Sequence, residues 1–138
     1  MNRREALILR ELNEQLARLL SGDFSAVRPM SLATTDLQAL ADSTARLTTL
    51  LAETHKFASA ISKGELEADP PPRNPLIAPL KQLHANLRHL TWQTKQIAAG
   101  DLDQHVDFLG EFSVAFNYMI EALREKRLAE RGRNFQGK

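Results

Sequence analysis

Apolar residues fall at helical spacing along most of the chain. Leu9, Leu12, Leu16 and Leu19 step by three and four, the seam of a helix that packs lengthwise on another. A second series runs Leu37, Leu40, Thr44, Leu47, Leu51, Thr54, Ala58 and Ile61, and a third Leu76, Leu80, Leu83, Leu87, Leu90, Thr94 and Ile97. A fourth begins with Phe112, Phe116, Met119 and Leu123. The pattern predicts four amphipathic helices. The second and third seams continue for about 20 residues or more, longer than the mean globular helix.

Glycine closes each of the first three helices. The stops read Leu19-Leu20-Ser21-Gly22-Asp23-Phe24, Ile61-Ser62-Lys63-Gly64-Glu65-Leu66 and Ile97-Ala98-Ala99-Gly100-Asp101-Leu102. Glycine just past the last turn can take the left-handed conformation that ends a helix. One such glycine is a common cap, whereas three in the same six-residue frame make an internal repeat. A shift of 36 residues carries Leu80, Leu83 and Leu87 onto Phe116, Met119 and Leu123, while the first copy stands 42 residues before the second. Helix starts are marked as well. Thr34-Thr35-Asp36 precedes the second seam, and Asn74-Pro75 precedes the third as a cap followed by proline. Glu111 places a carboxylate at the positive end of the fourth helix.

The connectors decide the topology. They span roughly Gly22 to Thr34, Gly64 to Asn74 and Gly100 to Gly110, whereas antiparallel helices are usually joined by about two to eight residues. An extended stretch of 11 residues reaches about 36–40 Å, and a 16-residue helix is about 24 Å long. Each connector can therefore run back along its helix, so that the next helix points the same way. Phe24, Leu66, Leu102 and Val106 would pin the connectors to the helices. Two parallel helices cannot bury both seams alone, and a second copy of the chain would supply the missing half. The expected fold is all-α, a parallel four-helix bundle formed by a homodimer.

Composition narrows the functions. Aromatic residues make up only 6% of the chain and apolar residues 43%, a balance that suits helix packing better than a β-sandwich. The net charge of +1 gives no general attraction to nucleic acid. The absence of cysteine excludes disulfides and thiolate metal sites. No apolar run approaches the roughly 20 residues of a membrane span, and no secretory leader is evident at Met1-Asn2-Arg3-Arg4-Glu5. The chain is read as cytoplasmic.

The third repeat resembles a known family. Ile97-Ala98-Ala99-Gly100-Asp101-Leu102, then Val106, Glu111 and Phe116-Asn117-Tyr118-Met119, are similar to the HAMP domain of bacterial receptors and sensor kinases. The resemblance is to the tandem, poly-HAMP arrays of soluble bacterial sensor proteins, and it is carried best by Leu76 to Leu123. It implies stacked helix–connector–helix units that share long helices. The divisions expected are a degenerate N-terminal unit over 1–56, a middle unit over 50–90, a C-terminal unit over 76–131 and a tail over 132–138. It implies a homodimeric relay that passes conformational change between sensor and output domains, as in two-component systems, with no enzymatic activity. The connector and switch positions it assigns are Gly64, Leu66, Gly100, Leu102, Val106, Glu111, Phe116, Asn117 and Met119. The middle copy departs from the pattern, with Asn74 in place of the glutamate and Pro70-Pro71-Pro72 in place of the second apolar anchor. It also lacks the Asn-x-Met stretch, which opens a reading of the earlier copies as static spacers.

Other chemistry finds little support. His55, His84, His89 and His105 invite a phosphotransfer or metal reading, but none is followed by the acid typical of a phospho-accepting helix. His84 and His89 are five apart, not the four that a helical two-histidine site needs. All four are expected on the solvated surface. Trp92 and Phe57 flank their seams and read either as a ligand-stacking pair or, more commonly, as covers for a connector, with Phe108 an obvious packing partner. Asp101, Asp103 and Asp107 read as the outer face of a connector, and the Arg124 to Arg133 run as a solvated helix end. No nucleophile–base pair, phosphate loop or paired carboxylates emerge, so no cofactor or metal is expected. Two alternatives to the relay are a histidine phosphotransfer-like helical protein and a passive helical dimerisation or adaptor rod.

Overall fold

Asn2 opens the first helix with a reciprocal cap: its side chain accepts from the Glu5 amide at 2.8 Å, and the Glu5 carboxylate accepts from the Asn2 amide at 3.3 Å. The computed structural model describes residues 2–25 and 35–136. Four helices are present, α1 (Arg3–Leu20), α2 (Thr35–Ser62), α3 (Ala78–Ala98) and α4 (Glu111–Gln136), with no strand among the described residues. The all-α expectation holds. The cap read at Thr34 and most of the first connector lie outside the described residues.

The three glycine stops share one hydrogen-bonded form. The Gly22, Gly64 and Gly100 amides donate to Leu19, Ile61 and Ile97 carbonyls at 3.0, 2.9 and 3.0 Å. The next amides, of Asp23, Glu65 and Asp101, reach back to Arg18, Ala60 and Gln96 at 2.9 Å each. This paired closure satisfies carbonyls that the last turn would leave bare, and it requires positive φ at the glycine. Gly100 has a φ of 101° and nothing within 4 Å of where a Cβ would stand, so backbone strain alone opposes a side chain there. Gly100→Val is expected to lower stability by about 1 kcal/mol or more in denaturant unfolding. The control Gly132→Ala, inside α4, should be neutral or slightly stabilising. The acid after the glycine also has a physical role. Asp23 and Asp101 each accept from the amide two residues on, at 3.0 Å, and start the connector with a tight turn. The Ser25 hydroxyl and amide hold the Asp23 carboxyl below its ordinary range.

The chain divides into two compact units, Met1–Lys81 and Gln82–Lys138. In the first, Ile8 and Leu12 of α1 pack on Ala41 of α2, with Leu37 beside them. Thr44 and Thr48 are buried on α2, where their hydroxyls donate to the Leu40 and Thr44 carbonyls at 2.8 and 2.9 Å. The middle connector returns along α2. Asn74 is buried, and its amide donates to the Leu50 carbonyl at 3.0 Å, Glu53 Oε1 at 3.2 Å and Thr54 Oγ1 at 3.3 Å. Asn74 also accepts from the Leu76 amide at 3.0 Å, a local turn rather than the first turn of the helix, because α3 starts only at Ala78. The start expected at Leu76 is therefore displaced. Asn74 serves chiefly to fix the end of the connector to α2.

Burial repeats along the chain with the period of the glycines. Gln15, Phe57 and Gln93 are buried, each seven residues before its glycine. Ala41, Ile77 and Ser113 are buried at steps of 36, and so are Thr48, His84 and Ile120. Thr48 and Phe57 are nine positions apart, about half a turn around the helix, and so are His84 and Gln93. Along α2, and again along α3, the most buried side chain thus changes to the opposite flank.

Candidate functional site

The connector between α3 and α4 contains no regular structure, so its peptide groups need partners from the helices beside it. Gln93 of α3 donates to the His105 carbonyl at 2.9 Å. From α4, Asn117 holds the next residue at both ends: its Oδ1 accepts from the Val106 amide at 2.8 Å, and its Nδ2 donates to the Val106 carbonyl at 2.6 Å. The Val106 side chain, only 1% exposed, is the apolar anchor between these contacts. Ser113 Oγ accepts from the Leu109 amide at 2.8 Å and closes the end of the connector. At its start, Arg124 Nε donates to the Leu102 carbonyl and Arg127 to the Gly100 carbonyl, both at 2.6 Å.

These contacts form a ladder. Gly100 lies beside Arg127, Leu102 beside Arg124, Val106 beside Asn117 and Leu109 beside Ser113, so the connector runs antiparallel to α4. Its His105 returns to Gln93, so it is antiparallel to α3 as well. The two helices therefore point the same way, as the connector length implies. Among the described residues, only α1 and α2 approach closely backbone to backbone, so α3 and α4 are joined through the connector.

Of the sequence-assigned positions, the ladder brings together Gly100, Leu102, Val106 and Asn117. Gly64, with a φ of 76°, and the half-buried Leu66 stand at the corresponding place in the first unit. Glu111 is exposed in the first turn of α4. Phe116 is half-buried, its ring 5.9 Å from that of Phe112, and Met119 is 45% exposed. These last two lie on a seam that one chain leaves open. Leu83 at 37%, Phe112 at 52% and Leu123 at 38% are exposed along the same kind of seam.

Two expectations need correction. His84 is 4% exposed and not a surface residue, whereas His55, His89 and His105 are exposed. The His55 ring lies 5.0 Å from Phe24, and His89 sits between Trp92 at 5.9 Å and Phe108 at 5.5 Å, so a histidine mediates the expected Trp92–Phe108 contact. Secondly, Arg124 and Arg127 are not a merely solvated helix end, since both bind connector carbonyls. Gln93 and Ser113 were missed because apolar periodicity does not register polar residues. For Gln93 the available signal was a glutamine at the same distance, seven residues, before Gly22 and Gly100.

A ladder tying two parallel helices through a glycine-started connector gives the comparison with known families its structural setting. Residues 73–125 match the HAMP domain family. No curated protein and no solved structure matches the chain significantly. HAMP domains are signal-relay linkers of bacterial sensor proteins. The HAMP match takes in the third connector, all of α3 and α4 as far as Glu125, and it begins one residue before Asn74. No helix among the described residues is long and apolar enough to cross a membrane, and none of their acidic or histidine side chains cluster as a metal site.

Proposed function

We propose that the chain is a cytoplasmic signal relay of HAMP type, working as a parallel homodimer that carries conformational change between sensor and output domains. The observation that carries this reading is the division of labour around each helix. The flank residues are used up by the connector, while Leu83, Phe112, Met119 and Leu123 remain uncovered. A second copy of the chain would cover them and complete four helices at each level. A tandem array fits the 36-residue recurrence of buried positions and the change of buried flank along α2 and α3. Each long helix would serve one unit with its first half and the next unit with its second. The relay performs no chemistry of its own in this reading.

The C-terminal unit is the one suited to switching. Its connector is held from α3 by Gln93 and from α4 by Ser113, Asn117 and two arginines, around one buried valine, and methionine on its seam packs adaptably in more than one arrangement. The middle connector, with three consecutive prolines and Asn74 fixed to α2, suits a stiffer spacer. The test is to fuse the full chain, in helical register beyond Lys138, to a dimerisation-dependent kinase or cyclase. Met119→Ile should stiffen the seam and Phe116→Ala should loosen it, shifting output in opposite directions by about fivefold or more. If both variants stay dimeric and output is unchanged, the passive-rod alternative replaces the relay.

A further inference from the structure

The structure assigns to Arg124 and Arg127 a clasp that sets the position of the α3 terminus and of the first connector residues against α4. A helix leaves its last carbonyls without intrahelical partners, and the macrodipole makes that end negative. The glycine closure uses the carbonyls of Gln96 and Ile97. Just past the helix end, the carbonyls of Gly100 and Leu102 each receive a guanidinium N–H at 2.6 Å. Charge-assisted bonds of this kind are roughly twice as strong as neutral ones.

Arg124 and Arg127 are three residues apart and share one face of α4. Their rungs continue the ladder about two to three turns past Asn117, and Arg127 lies outside the segment that matches the HAMP family. In the 36-residue frame their counterparts are Arg88 and Thr91, so the middle unit has no second arginine with which to build the same clasp. The ion pair of Arg124 with Asp103, at 3.3 Å, adds little because the Asp103 side chain is fully exposed. Arg131, one turn further, lines the same cleft of about 300 Å³ but makes no hydrogen bond to the connector.

The clasp deepens the relay reading by locating a latch, and its geometry can be tested without that reading. Amide hydrogen exchange on the full chain is the measurement. Arg127→Ala, at an exposed side chain, and Arg124→Ala should each speed exchange at Asp101 and Asp103 by about tenfold. The Val106 amide, held by Asn117, should keep its protection. Arg124→Lys should restore part of the lost protection, because an ammonium group can still donate to one carbonyl. Asp103→Asn and raised salt should change little, since the carbonyl bonds and not the ion pair carry the effect. Exchange at Asp101 and Asp103 that is unchanged in both alanine variants, or altered no more than in Arg131→Ala, would overturn the clasp. In the kinase or cyclase fusion, a faster-exchanging connector with unchanged output would leave the clasp standing and count against the relay.

Discussion

Asn117→Leu is expected to unfasten the third connector and to cost about 2–4 kcal/mol of stability. The side chain supplies both partners of the Val106 peptide, accepting from its amide at 2.8 Å and donating to its carbonyl at 2.6 Å. Val106 is buried, so water cannot readily replace either bond. A buried polar group left without a partner costs about 1–3 kcal/mol, and here there are two. Leucine keeps the size of the side chain and its helix propensity, so the loss isolates the hydrogen bonds. Asn117→Asp separates the two contacts. The carboxylate still accepts from the amide but opposes the Val106 carbonyl, which raises its pKa in the folded state. Destabilisation should then be greatest at neutral pH and should fade as the pH drops toward about 4, where the protonated acid can donate again. Urea unfolding at several pH values reads both effects. A loss below about 0.5 kcal/mol for Asn117→Leu, or a pH-independent deficit for Asn117→Asp, would show that the connector is held by something else.

The helices and their stops were legible in the sequence because both follow from local rules. Apolar spacing marked the seams, and Gly22, Gly64 and Gly100 ended α1, α2 and α3 through the left-handed conformation that glycine adopts readily. Parallel direction followed from connector length, since only a returning chain needs so many residues. The holding points were less legible. Hydrophobic spacing ranks Leu83 as core and His84 as surface, yet in one chain His84 is the buried one of the two. The flanks of α3 and α4 that carry Gln93, Ser113 and Asn117 differ from the seam in what they face. They meet an irregular connector whose peptide groups need hydrogen bonds, so polar residues belong there. Asn74 shows the same effect, in that a residue spaced as a helix cap is drawn to α2, where Leu50, Glu53 and Thr54 offer three acceptors. Arg124 and Arg127 read as solvated in the sequence because a basic helix end ordinarily is. Only the folded connector brings carbonyls within their reach.

Met119→Glu is expected to abolish association while leaving the single chain folded. Met119 is 45% exposed in one chain, and glutamate is nearly as good a helix former as methionine. If the chain works alone, the substitution should therefore change stability by no more than about 0.5 kcal/mol. If a second copy closes the seam, the same position becomes interior and brings two carboxylates toward each other across the two-fold axis. Each buried charge costs several kcal/mol in practice, and even about 3 kcal/mol in total weakens association more than 100-fold. Sedimentation equilibrium should give two chains for the parent at micromolar concentration and one for the variant, with equal helical circular dichroism. Burial in a dimer would raise the glutamate pKa, because desolvation opposes the charged form. Association should accordingly return as the pH falls toward about 4. Met119→Gln, uncharged and of similar length, should dimerise more weakly than the parent and show no such recovery. A parent that sediments as one chain, or a Met119→Glu variant that dimerises as tightly as the parent, would remove the seam from the interface and the homodimer with it.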